Sequence, residues 1–258
     1  MTGRLILRSL ALMVCLTLAN SGAAQEAVVA GLSQDRIDIT ADFDGSDILI
    51  YGAVKREIPV PPGPLDVIVT VEGPGQPESV RRKSRIFGVW LNTDVVTIDQ
   101  APSFYAVATT GPFSDIVSDT EDLRNSISIP RAIRSVGAPQ TVQNAQAFSD
   151  ALIRLRLARG LYSMNESAVR LTDQTLFRTD IDLPANLVEG NYKTRIFLLR
   201  DKRVVSLYEK TIFVRKVGLE RWLFRLAHQQ PAAYGILALV IAAVAGWAAS
   251  AIFRLVRR

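Results

Sequence analysis

The chain is poor in the residues that most enzyme chemistry uses. Its 258 residues contain one cysteine, Cys15, one histidine, His228, three methionines and three tryptophans. Cys15 lies in the N-terminal stretch MTGRLILRSLALMVCLTLANSGAAQ, which reads as a secretory signal peptide over 1–24. Arg4 and Arg8 form its basic region, Leu10–Ala19 its apolar region, and Gly22 and Ala24 the small residues before a cut after Ala24. Removing that segment leaves no thiol, which excludes disulfides, thiol catalysis and thiolate metal sites. His228 is next to Gln229 and Gln230 with no carboxylate near in sequence, so a histidine-assisted triad has little to build on. It reads instead as interfacial polarity. Gly73-Pro74-Gly75 is a turn and lacks the spacing of a phosphate-binding loop.

Acidic charge is also missing from both ends. None of the 25 Asp and Glu lies in 1–24 or 232–258, whereas Arg4, Arg8, Arg254, Arg257 and Arg258 do. The net charge of +5 therefore sits at the termini, and the segment between them is neutral. A neutral domain with basic ends is not the footprint of a nucleic-acid binder. Residues 232–253 (AAYGILALVIAAVAGWAASAIF) are uncharged. Twenty-two helical residues extend about 33 Å, enough to cross the hydrocarbon core of a bilayer. A transmembrane helix is predicted over 231–253, with a basic tail over 254–258. Along it Ala238, Ala242, Gly246 and Ser250 recur four residues apart, a small-residue face that permits close helix packing.

Residues 25–215 read as a mainly β domain. Ile37 and Ile39 alternate with polar residues, and an Asp-Gly loop (Asp42–Asp47) separates them from Ile48–Tyr51, predicting a hairpin. Asp42, Asp44 and Asp47 are a weak calcium candidate, since oxygen ligands suit that ion, but the spacing is not an EF-hand's. Pro59, Pro61, Pro62 and Pro64 impose an extended connection. Leu65–Glu72, Val95–Ile98 and Phe104–Ala108 read as strands. The cluster Arg81, Arg82, Lys83 and Arg85, beside the apolar run Ile86–Leu91, suits an anionic partner or a solvated strand edge; the second is expected, because basic edges discourage aggregation.

A helical insertion is predicted over about 112–160. Its main helix, Ala145–Arg159, carries an apolar stripe of Ala147, Phe148, Ala151, Leu152, Leu155 and Ala158, with Asn144 as N-cap and Gly160 as C-cap. A shorter helix is expected near Asp119–Ser126. Strands return at Leu176–Leu183 and from Glu189 onward, with Asp201-Lys202 as a hairpin turn. Gly190-x-Tyr192 opening a late strand resembles the tyrosine corner of immunoglobulin-like domains. Short strands at this spacing with one helical insertion favour an immunoglobulin-like β-sandwich. Over 216–230, Leu219, Trp222, Leu223 and Leu226 share one helical face, with Arg221 and Arg225 largely off it. This is an amphipathic juxtamembrane helix whose Trp222, Arg221 and Arg225 mark the membrane interface.

The runs LFRTDIDLPANLVEGNYKTRIFLLRDKRVV and VRKVGLERWLFRLAHQQPAAYG, the close FRLVRR, the stretch ITADFDGSDILIYGAV and the GLYSM motif resemble the alphaproteobacterial family of single-pass transmembrane proteins of unknown function. The resemblance covers nearly the whole chain and is densest over 176–258. It implies a bacterial inner-membrane protein with a signal peptide, a periplasmic domain, a C-terminal anchor and a cytoplasmic C-terminus. It transfers no catalytic residue and no cofactor, and where turns in the family favour Asp-Gly this chain departs with Asp201-Lys202, which weakens the expected turn type but not the hairpin.

Two functions remain. The first is a non-enzymatic binding or assembly module, with the lipid bilayer and a membrane-protein partner such as a transporter, reached through the transmembrane helix. The alternative is a periplasmic carboxylate-dependent hydrolase or carbohydrate-active domain, for which Glu121/Asp122 and Asp180/Asp182 are carboxylate pairs.

Overall fold

Burial along the strands separates two kinds of sheet. In β10 (Leu176–Pro184), Phe177, Thr179, Ile181 and Leu183 are buried while Leu176, Arg178, Asp180 and Asp182 are exposed. Such strict alternation marks a strand with one face in water. In β4 (Leu65–Glu72) and β7 (Tyr105–Thr109) the buried run is continuous, so both faces are covered. β11 (Gly190–Arg200) alternates at its start and becomes continuously buried from Ile196. A computed structural model of the chain accounts for this; it describes residues 26–40, 42–56, 59–133, 146–217 and 226–256. The signal segment, Asn144, and the interfacial residues Arg221, Trp222 and Arg225 lie outside the described residues.

The one-faced sheet has the order β1 (Ala27–Leu32), β3 (Gly45–Lys55), β10, β9 (Arg170–Thr172), all antiparallel. The second has the order β2 (Arg36–Ile39), β12 (Arg203–Lys216), β11, β4, β7, β8 (Tyr162–Asn165). Its outermost pairs, β2–β12 and β7–β8, are parallel. The inner faces of the two sheets share one apolar core that includes Ile48, Ile50, Phe177 and Ile181 from the first and Val67, Val69, Ile196 and Leu198 from the second. The arrangement is the four-plus-three strand order of an immunoglobulin sandwich, with additional strands on the second sheet.

The predicted tyrosine corner is present. Tyr192 is buried near the start of β11 and its hydroxyl donates to the Val188 carbonyl at 3.0 Å. Burial pushes the phenol's pKa up, which keeps it a donor. Tyr192→Phe is expected to cost about 1 kcal/mol in denaturant unfolding with no change in slope, since one neutral hydrogen bond is lost. The β11–β12 turn is also as expected: Asp201 (φ 48°) and Lys202 (φ 63°) both take the left-handed conformation of a two-residue hairpin turn.

One local expectation is corrected. The loop Asp42–Asp47 does not close a hairpin, because β2 pairs with β12 in one sheet and β3 with β1 and β10 in the other. The loop carries the chain between sheets. Turn chemistry reports that the chain reverses, not which strand it then joins.

The outer face of the second sheet is covered by helices. α1 (Phe113–Ile116), α2 (Asp119–Asn125), α3 (Ile129–Ala132) and the turn between the last two place Ile116, Ile127 and Ile129 against Ile68, Tyr105, Val107, Phe197 and Leu199. Ser118 caps α2, its hydroxyl accepting from the Glu121 amide at 3.4 Å. The far end of α2 is held by Arg195, which donates to the carbonyls of Asn125 (2.7 Å) and Ser126 (3.0 Å). A cation there also suits the negative end of the helix dipole.

α4 (Gln146–Ala158) ends as predicted, with Gly160 (φ 68°) as its C-cap: the Leu161 amide reaches the Arg156 carbonyl at 2.9 Å and the Gly160 amide that of Leu157 at 3.0 Å. Its buried face is narrower than the expected stripe. Phe148 and Leu152 are buried, but Leu155 is 50% exposed. The reason is what the helix packs on: not the face of a broad sheet but the base of a long hairpin, β5 (Gly75–Ile86) and β6 (Val89–Pro102), inserted between β4 and β7, together with the edge strand β8 and α3. Leu152 meets Ile98 and Ala101, and Arg156 pairs with Glu78 and donates to the Ser103 carbonyl at 3.3 Å.

Candidate functional site

The exposed face of the β1-β3-β10-β9 sheet is not uniformly polar. Strand registry puts Val29, Ala53, Leu176 and Thr172 in one row across it, and Gly31, Tyr51, Arg178 and Arg170 in the next. Tyr51 projects outward because the inward phase of β3 is taken by Ile48, Ile50 and Val54. Its ring lies across Gly31, where a Cβ would come within 2.8 Å of ring carbon. The glycine thus lets the ring lie flat along the sheet. The result is a groove of about 660 Å³ with an apolar floor. Val29, Tyr51 and Leu176 are all exposed there, and Arg170 and Arg178 stand on one side. Moving along β10, the next outward residues are Asp180 and Asp182, so the face passes from apolar through cationic to acidic. The face thus carries apolar area at its centre and charges at its margin.

The carboxylates that sequence reasoning paired are distributed differently. Glu121 and Asp122 diverge. Glu121 accepts from Arg124 at 2.6 Å and from the Asn125 amide group at 3.3 Å. Asp122 accepts from the Ser128 amide and hydroxyl, both at 2.7 Å, stapling the turn after α2. Glu121 also shares a groove of about 450 Å³ with Asp201, Arg124 and Arg203. Asp180 and Asp182 project from alternate positions of one exposed strand face. Asp42, Asp44 and Asp47 are not gathered: among the described residues no group of three or more His, Cys, Asp or Glu is placed to hold a metal. The Asp42 carboxyl is held below its ordinary range by hydrogen bonds from Thr40 and its own backbone amide, in keeping with a solvated turn.

The perturbed phenols are structural. Burial pushes Tyr162 up to about 12 and raises Tyr105 further. Tyr162 donates to the Pro102 carbonyl at 2.7 Å, and Tyr105 to that of Ile127 at 2.8 Å. Both bonds tie the helical layer or the hairpin base to the second sheet, and both need a protonated phenol.

The basic cluster has a more definite setting than a sheet edge. Arg81, Arg82, Lys83 and Arg85 lie on the distal half of β5, and Ile86 pairs with Val89 across the turn Phe87-Gly88. Phe87 (φ 48°) is fully exposed at 102%, Trp90 is 65% exposed, and Ile86, Val89 and Leu91 are exposed with them. Sequence reasoning missed this tip. Its signal was present as an X-Gly pair between two apolar residues, the pattern of a two-residue hairpin turn.

At the other end of the chain, α5 (Pro231–Val256) is a continuous helix, and its span Pro231–Ala249 has mean hydropathy 2.0 on the residue scale and no burial by the rest of the protein. Among the described residues it is the one helix long and apolar enough to cross a membrane. Ala238, Ala242, Gly246 and Ser250 all fall within it, and His228 lies in the short helical turn before it.

Residues 27–255 match the model of a family described as "Putative transmembrane protein (Alph_Pro_TM)". The chain belongs to this family. Membership together with α5 makes it a transmembrane protein, with α5 the one membrane-spanning helix among the described residues. A comparison with curated proteins finds no match. Among solved structures the chain is similar to an enterococcal surface protein, represented by part of its N-terminal region. The two share 11% identity and superpose with a TM-score of 0.26 over 77% of this chain and 45% of that one. The chain thus spans less than half the length of that structure.

Proposed function

We propose that this family member is a non-enzymatic binding module of the bacterial inner membrane. Its sandwich stands in the periplasm and presents the Tyr51 groove to a membrane-protein partner such as a transporter, while the tail after α5 lies in the cytoplasm. The observation that carries the reading is the groove: Tyr51, Val29 and Leu176 are left exposed on a sheet whose other face is fully committed to the core. Arg170 and Arg178 beside it favour a partner segment that is apolar and bordered by carboxylates. The N-terminal segment supports export of the domain. The small-residue face of α5 supports a partner that also lies in the bilayer. Glu121, Asp122 and Glu78 hold caps and ion pairs, which is the bonding of structural carboxylates.

The test is site-specific photo-crosslinking in native membranes. A crosslinker at Val29 is expected to capture one discrete membrane polypeptide. The yield should fall about tenfold in the Tyr51→Ala, Arg178→Glu double variant, the scale of losing a central anchor and its charge partner. A crosslinker at the exposed Lys193, on the other sheet, serves as control. Equal patterns from Val29 and Lys193 would remove the groove from the function.

A further inference from the structure

We propose that the tip of the β5–β6 hairpin is a second membrane contact, inserting Phe87 and Trp90 into the interface of the anionic bilayer that holds α5. The hairpin is built in two halves. In the basal half Val96, Ile98 and Ala101 are buried, with α4 packed on the base. In the distal half, from Arg81 to Val95, nearly every side chain is exposed on both faces of the ribbon. A two-stranded ribbon without a packed face is marginal in water. This one nevertheless ends in Ile86, Phe87, Val89, Trp90 and Leu91, where a soluble hairpin would carry polar residues.

The charges just behind the tip decide what those residues meet. Arg81, Arg82, Lys83 and Arg85 are opposed within the distal half by one carboxylate, Asp94, which lies 3.5 Å from Arg82. Arg85 is the cross-strand neighbour of Trp90, so an apolar ring and a cation share one face. Arg154 of α4 adds a further cation beside Arg81 and Arg82. Aromatic residues at the tip with a collar of cations behind them match a headgroup layer: rings at the boundary, cations against phosphate. A protein partner would need an apolar pocket ringed by acids to do the same, whereas the bilayer is already present.

The topology places the hairpin within reach of that bilayer. Gly190, at the start of β11, lies against the Pro74 ring at the hairpin base and pairs with Val214 near the end of β12. The hairpin therefore leaves from the same end of the sandwich from which the chain departs toward α5. At about 3.3 Å per residue β5 extends roughly 35 Å. In the connection from β12 to α5, residues 226–229 are helical, so its reach is at most about 40 Å.

The full chain carrying Cys15→Ser and Phe87→Cys, labelled with an environment-sensitive fluorophore, is reconstituted into vesicles of phosphatidylethanolamine and phosphatidylglycerol. A nitroxide-bearing lipid should quench that label at least about threefold more than the same label at Thr97 on the hairpin base, and the excess should fall with added salt. Replacing Arg81, Arg82, Lys83 and Arg85 by Gln, or the vesicles by phosphatidylcholine alone, should abolish the difference. All four side chains are exposed or nearly so, so an unchanged thermal midpoint reports that the fold survives. Equal quenching at both positions would overturn the proposal. So would an emission shift without lipid quenching, which would give the tip to a protein surface.

Discussion

Glu26→Gln is expected to destabilise the domain by about 3–5 kcal/mol at neutral pH, the loss seen when one partner of a buried ion pair is removed. Glu26 is buried ahead of β1 and accepts from three guanidinium nitrogens: Arg200 Nε at 2.7 Å, Arg200 Nη2 at 2.9 Å and Arg56 Nε at 2.6 Å. Arg200 also donates to the Gly63 carbonyl at 2.7 Å, and Arg56 to Thr175 Oγ1 at 3.2 Å. One carboxylate thus joins the chain ahead of β1, the end of β3, the Pro59–Pro64 loop and the end of β11, closing the end of the sandwich opposite the β5–β6 hairpin. Removing its charge leaves Arg200 buried without a counterion.

The hydrogen bonds from Arg200, helped by those from Arg56, hold the Glu26 carboxyl below its ordinary 4.5 despite the opposing effect of burial. A folded-state pKa below the unfolded one means that the stabilisation is complete above the unfolded value and disappears as pH falls through the folded value. The gap in thermal midpoint between the native chain and Glu26→Gln should therefore be constant from pH 7 to about 5 and close progressively below about 4.5. A gap that widened on acidification would show that the carboxylate is not the stabilising form.

Phe197→Ala should cost a similar amount, about 3–5 kcal/mol, through lost burial and the cavity left behind. Phe197 is fully buried on the helix-bearing face of β11, among Ile68, Tyr105 and Val107, and Arg195 lies over its ring at 5.3 Å from the centroid. Its loss would loosen the contact between the second sheet and α1–α3, and Arg195 would lose the ring that supports its clamp on α2. Denaturant unfolding should show a lower midpoint at unchanged slope if helices and sandwich unfold as one unit. Two separated transitions would show instead that the helical layer is an independent unit. Leu155→Ala on α4 is the matched control, expected within about 0.5 kcal/mol because Leu155 is exposed.

Much of this protein was legible locally. Period-two alternation of Ile37 and Ile39 located β2 because side chains on a strand point alternately to either face, whatever the strand pairs with. The uncharged run at 232–253 identified α5 because span length depends on rise per residue alone. Gly190-x-Tyr192 announced the tyrosine corner because its bond to Val188 is four residues long. Gly160 marked the end of α4 for the same reason. What only the tertiary structure decided was partnership across long sequence separations. The Asp42–Asp47 loop has the turn residues of a hairpin, yet β2 goes to β12 and β3 to β1 and β10, because turn propensity acts over four residues and pairing over the whole chain. Leu155 shares a helical stripe with Leu152 but is exposed, since a narrow hairpin base cannot cover the width a sheet would. The outward phase of Tyr51, the joining of Glu26 to Arg200, and the projection of Phe87 and Trp90 beyond the packed base follow from the same fact. Alternation assigns a side chain to a face, and only packing decides whether anything lies against that face.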